Sequence, residues 1–191
     1  MSKTRLEAFS DGVIAILITI MVLELKLPHG ADLAALRGLA LTFCSYVLSY
    51  VFLGIYWNNH HHMLHAATRI NGRILWANLH LLFWLSLVPF TTAWMGETHL
   101  APWPTAVYGI DLFCAGVAYL ILQNSNIADE GEGSKLAAAV GGDTKGKLSA
   151  LLYAIAIPTA FYRSWIAATI YAGVALLWLI PDRRIERKLH S

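Results

Sequence analysis

Apolar runs long enough to cross a bilayer, separated by short polar stretches, constrain this chain more than any other feature. From Ile74 to Met95 there is no Asp, Glu, Lys or Arg. A membrane helix needs about 20 mostly apolar residues to cross a hydrocarbon core of about 30 Å. The sequence predicts six such helices, at approximately 5–27, 37–59, 71–96, 104–122, 147–162 and 164–180. The first is the least obvious, because Gly12–Leu23 is short by itself. Arg5 to Leu27 is 23 residues, about 34 Å as a helix, so it spans if its polar ends lie at the interfaces. No small-x-small cleavage site precedes Pro28, so the segment reads as a retained helix and not as a signal. Pro89 is tolerated as a kink, because neighbouring helices can satisfy the freed carbonyl. Pro102 and Pro104 start the fourth helix, a tight turn at Arg163 separates the last two, and Pro181 precedes a charged tail. Residues 123–146 read as a polar cytoplasmic linker.

Composition excludes the main alternatives. Hydrophobic residues make up 57% of the chain, charged residues 14%, and the mean hydropathy is +0.54. Soluble domains carry about 25% charge. A scattered net charge of +2 leaves no footprint for nucleic acid. Seven Trp and eight Tyr fit aromatic belts at the membrane interfaces. Cys44 and Cys114 lie in apolar runs and read as small buried hydrophobes. With the N-terminus inside, cytoplasmic segments hold eleven Lys and Arg and outer loops three (Lys26, Arg37 and Arg163). This bias predicts a multi-pass protein of the cell membrane with both termini cytoplasmic. The fold class expected is all-α integral membrane, one six-helix unit over residues 1–191.

Candidate functional residues concentrate on the first helix. An acid inside a membrane helix is costly and usually pairs with something, so Asp11 with Arg5 and Ser10 predicts a polar cluster near the cytoplasmic end. Asn78 and His80 on the third helix are its candidate partners, and His80 lies at a depth that permits an Asp11–His80 contact. Gly12, Ile16, Thr19 and Leu23 follow i, i+4, i+7, i+11 and share one stripe. Copies of that stripe meeting on an axis would form a narrow pore; ordinary packing against lipid or a neighbouring helix explains the spacing equally well. His61 and His65, an i, i+4 pair, are weak candidates for a metal site, since no third ligand or His-Glu-x2-His pattern accompanies them. The run His60–His65 reads as a helix extension. Asp111 stands isolated in the fourth helix and reads as a packing hydrogen bond. No cofactor motif, nucleophile or filter sequence is present, so an enzyme is not expected.

Arg5-x3-Phe9-Ser10-Asp11 on the first of six helices, with Asn78-Leu79-His80 and Pro89-Phe90-Thr91-Thr92-Ala93-Trp94-Met95-Gly96-Glu97 on the third, resembles the transmembrane protein 175 family of potassium channels. The likeness covers the first three helices; the last three agree only in number and length. The resemblance implies a short single-unit prokaryotic member, assembled as a homotetramer, conducting K⁺ and similar monovalent cations without a filter loop. It implies a pore lined by the first helix, with a hydrophobic gate at Ile16, a hydroxyl ring at Thr19 and a further narrow ring at Leu23. It makes Arg5, Phe9, Ser10, Asp11, Asn78 and His80 a structural network holding that helix, and K⁺ over Na⁺ selectivity modest. The competing reading is a small proton- or ion-coupled secondary transporter using Asp11 and Asp111, which the absence of repeats and broken helix pairs disfavours.

Overall fold

The computed structural model describes residues 2–131, 137 and 144–179; Lys135 and the charged tail lie outside the described residues. Helix α1 (Lys3–Ile20) tightens into a 3₁₀ turn over Met21–Glu24. A short helix α2 (Leu33–Arg37) follows, its start capped by the Asp32 carboxylate accepting from the Ala35 N–H at 2.9 Å. Then come α3 (Ala40–Ala66), α4 (Gly72–Glu97) and α5 (Pro102–Glu130). The stretch Thr144–Leu179 is helical on either side of Arg163, whose φ of −153° and ψ of 98° break it. The arms double back: Trp178 Nε1 donates to Ser149 Oγ at 2.8 Å across 29 residues. A straight helix would hold those residues about 44 Å apart. The arms are therefore two helices, α6 (144–162) and α7 (164–179), and the tight turn expected at Arg163 is present.

Five continuous helical stretches are long and apolar enough to span a membrane, and the hairpin at Arg163 makes the last one two passes. Helix α1 packs on α3 and α4, α4 on α5, and α5 on the α6–α7 hairpin. Two apolar clusters follow from this order. One gathers Ile14, Leu17, Leu53, Leu81, Leu85 and Leu122 between α1 and α3–α5; the other joins α5 to the hairpin around Tyr108, Leu112, Tyr153 and Tyr171.

The second helix runs to Ala66, with His60–His65 as the extension the sequence suggests, because nothing between Trp57 and Ala66 interrupts it and polarity alone does not end a helix at the membrane surface. Two sequence expectations need correction. For the same reason the stretch 123–130, expected as linker, continues α5. Ser125 Oγ and Asn126 Nδ2 turn back to the carbonyls of Ile121 and Leu122 (2.7 and 2.9 Å), and the helix ends at Gly131, whose φ of 94° suits glycine. The Glu130 carboxylate then accepts from the Thr68 N–H and hydroxyl and from the Arg69 N–H, while Asp129 accepts from Asn71 Nδ2 at 2.7 Å. These bonds tie the α3–α4 loop to the end of α5. The cysteines are the second correction: Cys44 is exposed and Cys114 half-buried, as suits a bundle whose outer face meets lipid and needs no polar coat.

Pro89 sits buried inside α4. Around it the Thr92 hydroxyl donates to Val88 O at 2.6 Å, and the Thr91 hydroxyl lies 3.2 Å from both Leu87 O and Val88 O. The carbonyl that Pro89 frees is that of Leu85, four residues earlier, so these hydroxyls bond carbonyls in the turn around the proline and do not replace its missing N–H.

Candidate functional site

Helix α1 has two faces. Leu6, Ser10, Ile14, Leu17 and Met21 are buried against the bundle, a spacing that keeps one side in phase over about four turns. On the other side Gly12, Ile16, Thr19 and Leu23 are all exposed, Ile16 at 60% and Leu23 at 79%. The Thr19 hydroxyl donates to Ile16 O at 2.9 Å, which leaves its oxygen lone pairs facing outward. Leu23 lies in the 3₁₀ turn, so it is rotated from the ideal α-helical stripe by roughly 20° for each tightened residue.

Polar side chains fasten the buried face. Asn78, fully buried on α4, donates from Nδ2 to Ser10 Oγ at 3.0 Å. Its Oδ1, which can only accept, faces His60 Nε2 at 2.7 Å, so His60 carries its proton on that nitrogen. Asp11 accepts from Trp57 Nε1 at 3.0 Å. Lys3 Nζ reaches both Glu7, at 3.8 Å, and the carbonyl of His65, at 2.7 Å.

This network differs from the one expected. Of the six residues proposed, Ser10 and Asn78 are joined directly and Asp11 is bonded to α3. Arg5 and Phe9 are exposed, and Arg5 has no hydrogen-bond or ion-pair partner among the described residues. The Asp11–His80 contact is absent within the chain: His80 is exposed and accepts from Trp84 Nε1 at 3.0 Å, one turn along its own helix. His60 and Trp57 are the members sequence reasoning missed. The signal for His60 was the α3 inward period, Ser49, Leu53, His60 and Leu64, carried into the histidine run; Trp57 is exposed and falls outside that period.

The other candidates separate clearly. His61 and His65 stack at 6.1 Å between ring centroids, and His61 stacks on Trp57 at 6.2 Å, on an exposed face of α3. Among the described residues no group of three His, Cys, Asp or Glu converges there. Asp111, buried in α5, accepts from the Thr91 hydroxyl at 3.0 Å through Oδ2, while Oδ1 has no partner among the described residues. Beside it runs a chain of hydroxyls, Thr92 to Ser49 at 2.6 Å and Ser49 to Tyr108 at 2.9 Å. At the far end of α4, Glu97 pairs with Lys26 at 2.8 Å.

Known proteins place this arrangement. The family model described as endosomal/lysosomal potassium channel TMEM175 matches residues 5–89, the segment that holds α1, α3 and most of α4. A relative from Chryseobacterium sp. (strain P1-3), named a potassium channel, is 53% identical over 189 residues, covering 99% of this chain and 98% of that protein. A much longer relative from Danio rerio, named an endosomal/lysosomal proton channel, is 28% identical over 121 residues, or 61% of this chain and 22% of the relative. The crystal structure of a lysosomal potassium-selective channel TMEM175 homolog from Chamaesiphon minutus superposes with a TM-score of 0.83 at 25% identity, covering 93% of this chain and 96% of that one. The chain therefore belongs to the TMEM175 family of potassium channels, a family of ion channels and not of enzymes.

Proposed function

We propose that four copies of this chain assemble around an axis with α1 innermost, forming a K⁺-permeable pore across the cell membrane with both termini cytoplasmic. The observation that carries this reading is the sorting of α1 into a buried anchoring face and an exposed face bearing Gly12, Ile16, Thr19 and Leu23. Rings of Ile16 and Leu23 make hydrophobic constrictions that close by dewetting, and outward lone pairs on Thr19 replace part of an ion's water shell. Neutral hydroxyls are weak ligands, so they favour the more cheaply dehydrated K⁺ over Na⁺ only modestly. The relative's name and the charge bias of the loops support K⁺ as the permeant ion and the inward termini. No resident cofactor is needed.

Purified protein in liposomes tests the reading, with K⁺ flux and single-channel current recorded beside Ile16→Asn. Discrete, potassium-leaning current that rises in Ile16→Asn is the expected result. Saturable, proton-driven uptake would replace the channel by a carrier, and unchanged flux in Ile16→Asn would remove Ile16 as the gate.

A further inference from the structure

Away from α1, the cytoplasmic halves of α3, α5, α6 and α7 line an open, largely apolar groove. Its floor is aromatic, made by Phe52, Tyr56, Phe113, Tyr153 and Trp178. Helix α6 meets it with Gly146, Ser149, Ala150 and Tyr153, an i, i+3, i+4, i+7 stripe whose first three side chains are too small to fill it. Two polar groups in the groove have nothing to bond. The Tyr153 side chain is 3% exposed and the Tyr56 side chain half-buried, and neither hydroxyl has a hydrogen-bond partner among the described residues. A polar atom left unpaired in a membrane interior is costly.

Two lysines stand at the lip. Lys145 and Lys147 flank the α6 stripe at about 100° to either side, and Lys145 Nζ lies 6.0 Å from the centre of the Trp178 ring. Because Trp178 bonds to Ser149, that ammonium sits near the level of Ser149, one turn or about 6 Å nearer the helix end than Tyr153. Cation, then hydroxyls, then aromatic floor is the order in which a phospholipid presents phosphate, glycerol esters and acyl chain. We propose that this groove binds one anionic phospholipid of the cytoplasmic leaflet, its phosphate at Lys145 and Lys147, its ester oxygens accepting from Tyr56 and Tyr153, and an acyl chain along the aromatic floor. Basic pockets between membrane helices on the cytoplasmic side suit such headgroups. The leaflet assignment rests on the proposed orientation; the binding itself does not.

The test is native mass spectrometry of the purified full chain, exchanged into phosphatidylglycerol or into phosphatidylcholine of the same acyl chains. The wild type is expected to retain phosphatidylglycerol preferentially. At about 1 kcal/mol per basic residue, Lys145→Gln lowers that preference roughly fivefold. Ala150→Phe fills the groove and abolishes retention of both lipids. Tyr153→Phe keeps the ring and the fold but weakens retention of both, so the test survives if Ala150→Phe does not fold. Equal retention of the two lipids by the wild type overturns the proposal, as does wild-type retention in both Tyr153→Phe and Ala150→Phe. Retention is read without ion flux, so its failure is distinct from failure of the channel reading.

Discussion

Replacing Asn78 by Leu tests whether one buried amide holds α1, the proposed pore helix, in place. Leu matches Asn approximately in size, so packing changes little and the effect is the loss of two hydrogen bonds, at 3.0 Å to Ser10 and 2.7 Å to His60. Both partners are buried, Ser10 at 0% and His60 at 1% exposed, so each is stranded without water to replace Asn78. In water-soluble proteins a stranded buried partner costs about 1–3 kcal/mol, which for two would give about 2–6. Within membranes the measured bonds average only about 0.6 kcal/mol and reach about 1.7, because the unfolded chain in lipid also finds partners. The membrane figure governs here, since α1 unpacks within the bilayer. Two bonds then give about 1–3 kcal/mol, roughly a 5- to 150-fold shift in the folding equilibrium. Equilibrium unfolding in mixed micelles by circular dichroism reads it, and liposome flux should be disturbed in parallel because α1 loses its anchor. The triple variant Ser10→Ala, His60→Phe, Asn78→Leu strands no polar atom and should recover most of the stability. An Asn78→Leu protein within about 0.5 kcal/mol of wild type, below one average bond, would refute the reasoning, as would a triple variant no more stable than the single.

Thr19→Val removes the exposed hydroxyl at constant shape, and the K⁺ to Na⁺ permeability ratio from biionic reversal potentials should fall toward one. Gly109→Ala should destabilise strongly: a Cβ there would lie 2.1 Å from the Tyr171 hydroxyl, which donates to Thr105 O at 3.1 Å. Overpacking of that kind costs about 1–3 kcal/mol, whereas Gly173→Ala, with nothing within 4 Å, should be neutral or mildly stabilising in the same thermal assay. Glu97→Gln should leave the melting temperature nearly unchanged, because the Lys26–Glu97 pair is exposed and such pairs contribute about 0–1 kcal/mol. It also frees the Lys26 charge beside the outer end of α1, so cation entry from that side should slow at low salt and recover at high salt.

Helix number, the Arg163 hairpin and the membrane environment were legible because each rests on a strong local signal: apolar length, a proline start, an isolated cation between apolar arms. Helix ends were less legible. The run Gln123–Glu130 looks like a loop by polarity, yet at a membrane surface helix and water coexist, and only packing against a neighbour decides where the helix stops. The network was half legible. Asp11 and Asn78 announce themselves as polar residues in apolar helices, but which histidine meets Asn78 depends on helix phase and crossing geometry. His60 and His80 are equally plausible by depth; rotation places His60 inward and His80 outward.

The exposed faces of this bundle differ in a way that bears on which one meets other copies. Helix α4 shows Trp76, Phe83 and Phe90, and the hairpin shows Leu151, Tyr162, Trp165 and Leu176, bulky side chains suited to lipid and its interfaces. Helix α1 and its 3₁₀ turn expose Gly12, Ala15 and Thr19 alongside Phe9, Ile16, Ile20 and Leu23. Small residues let membrane helices approach one another closely, whereas nothing in lipid rewards them over Leu or Phe. Helix α1 combines small residues and a hydroxyl with larger side chains on one face, and its other face is held by buried hydrogen bonds that fix its rotation. A helix whose symmetry mates approach around an axis needs both: small residues to let the backbones near, and larger rings at intervals to narrow what remains. In the proposed assembly, the Ser10–Asn78–His60 chain supplies that fixed rotation, because a turn of even 50° about the α1 axis, about half a residue step, would move Ile16 and Thr19 off the symmetry axis together.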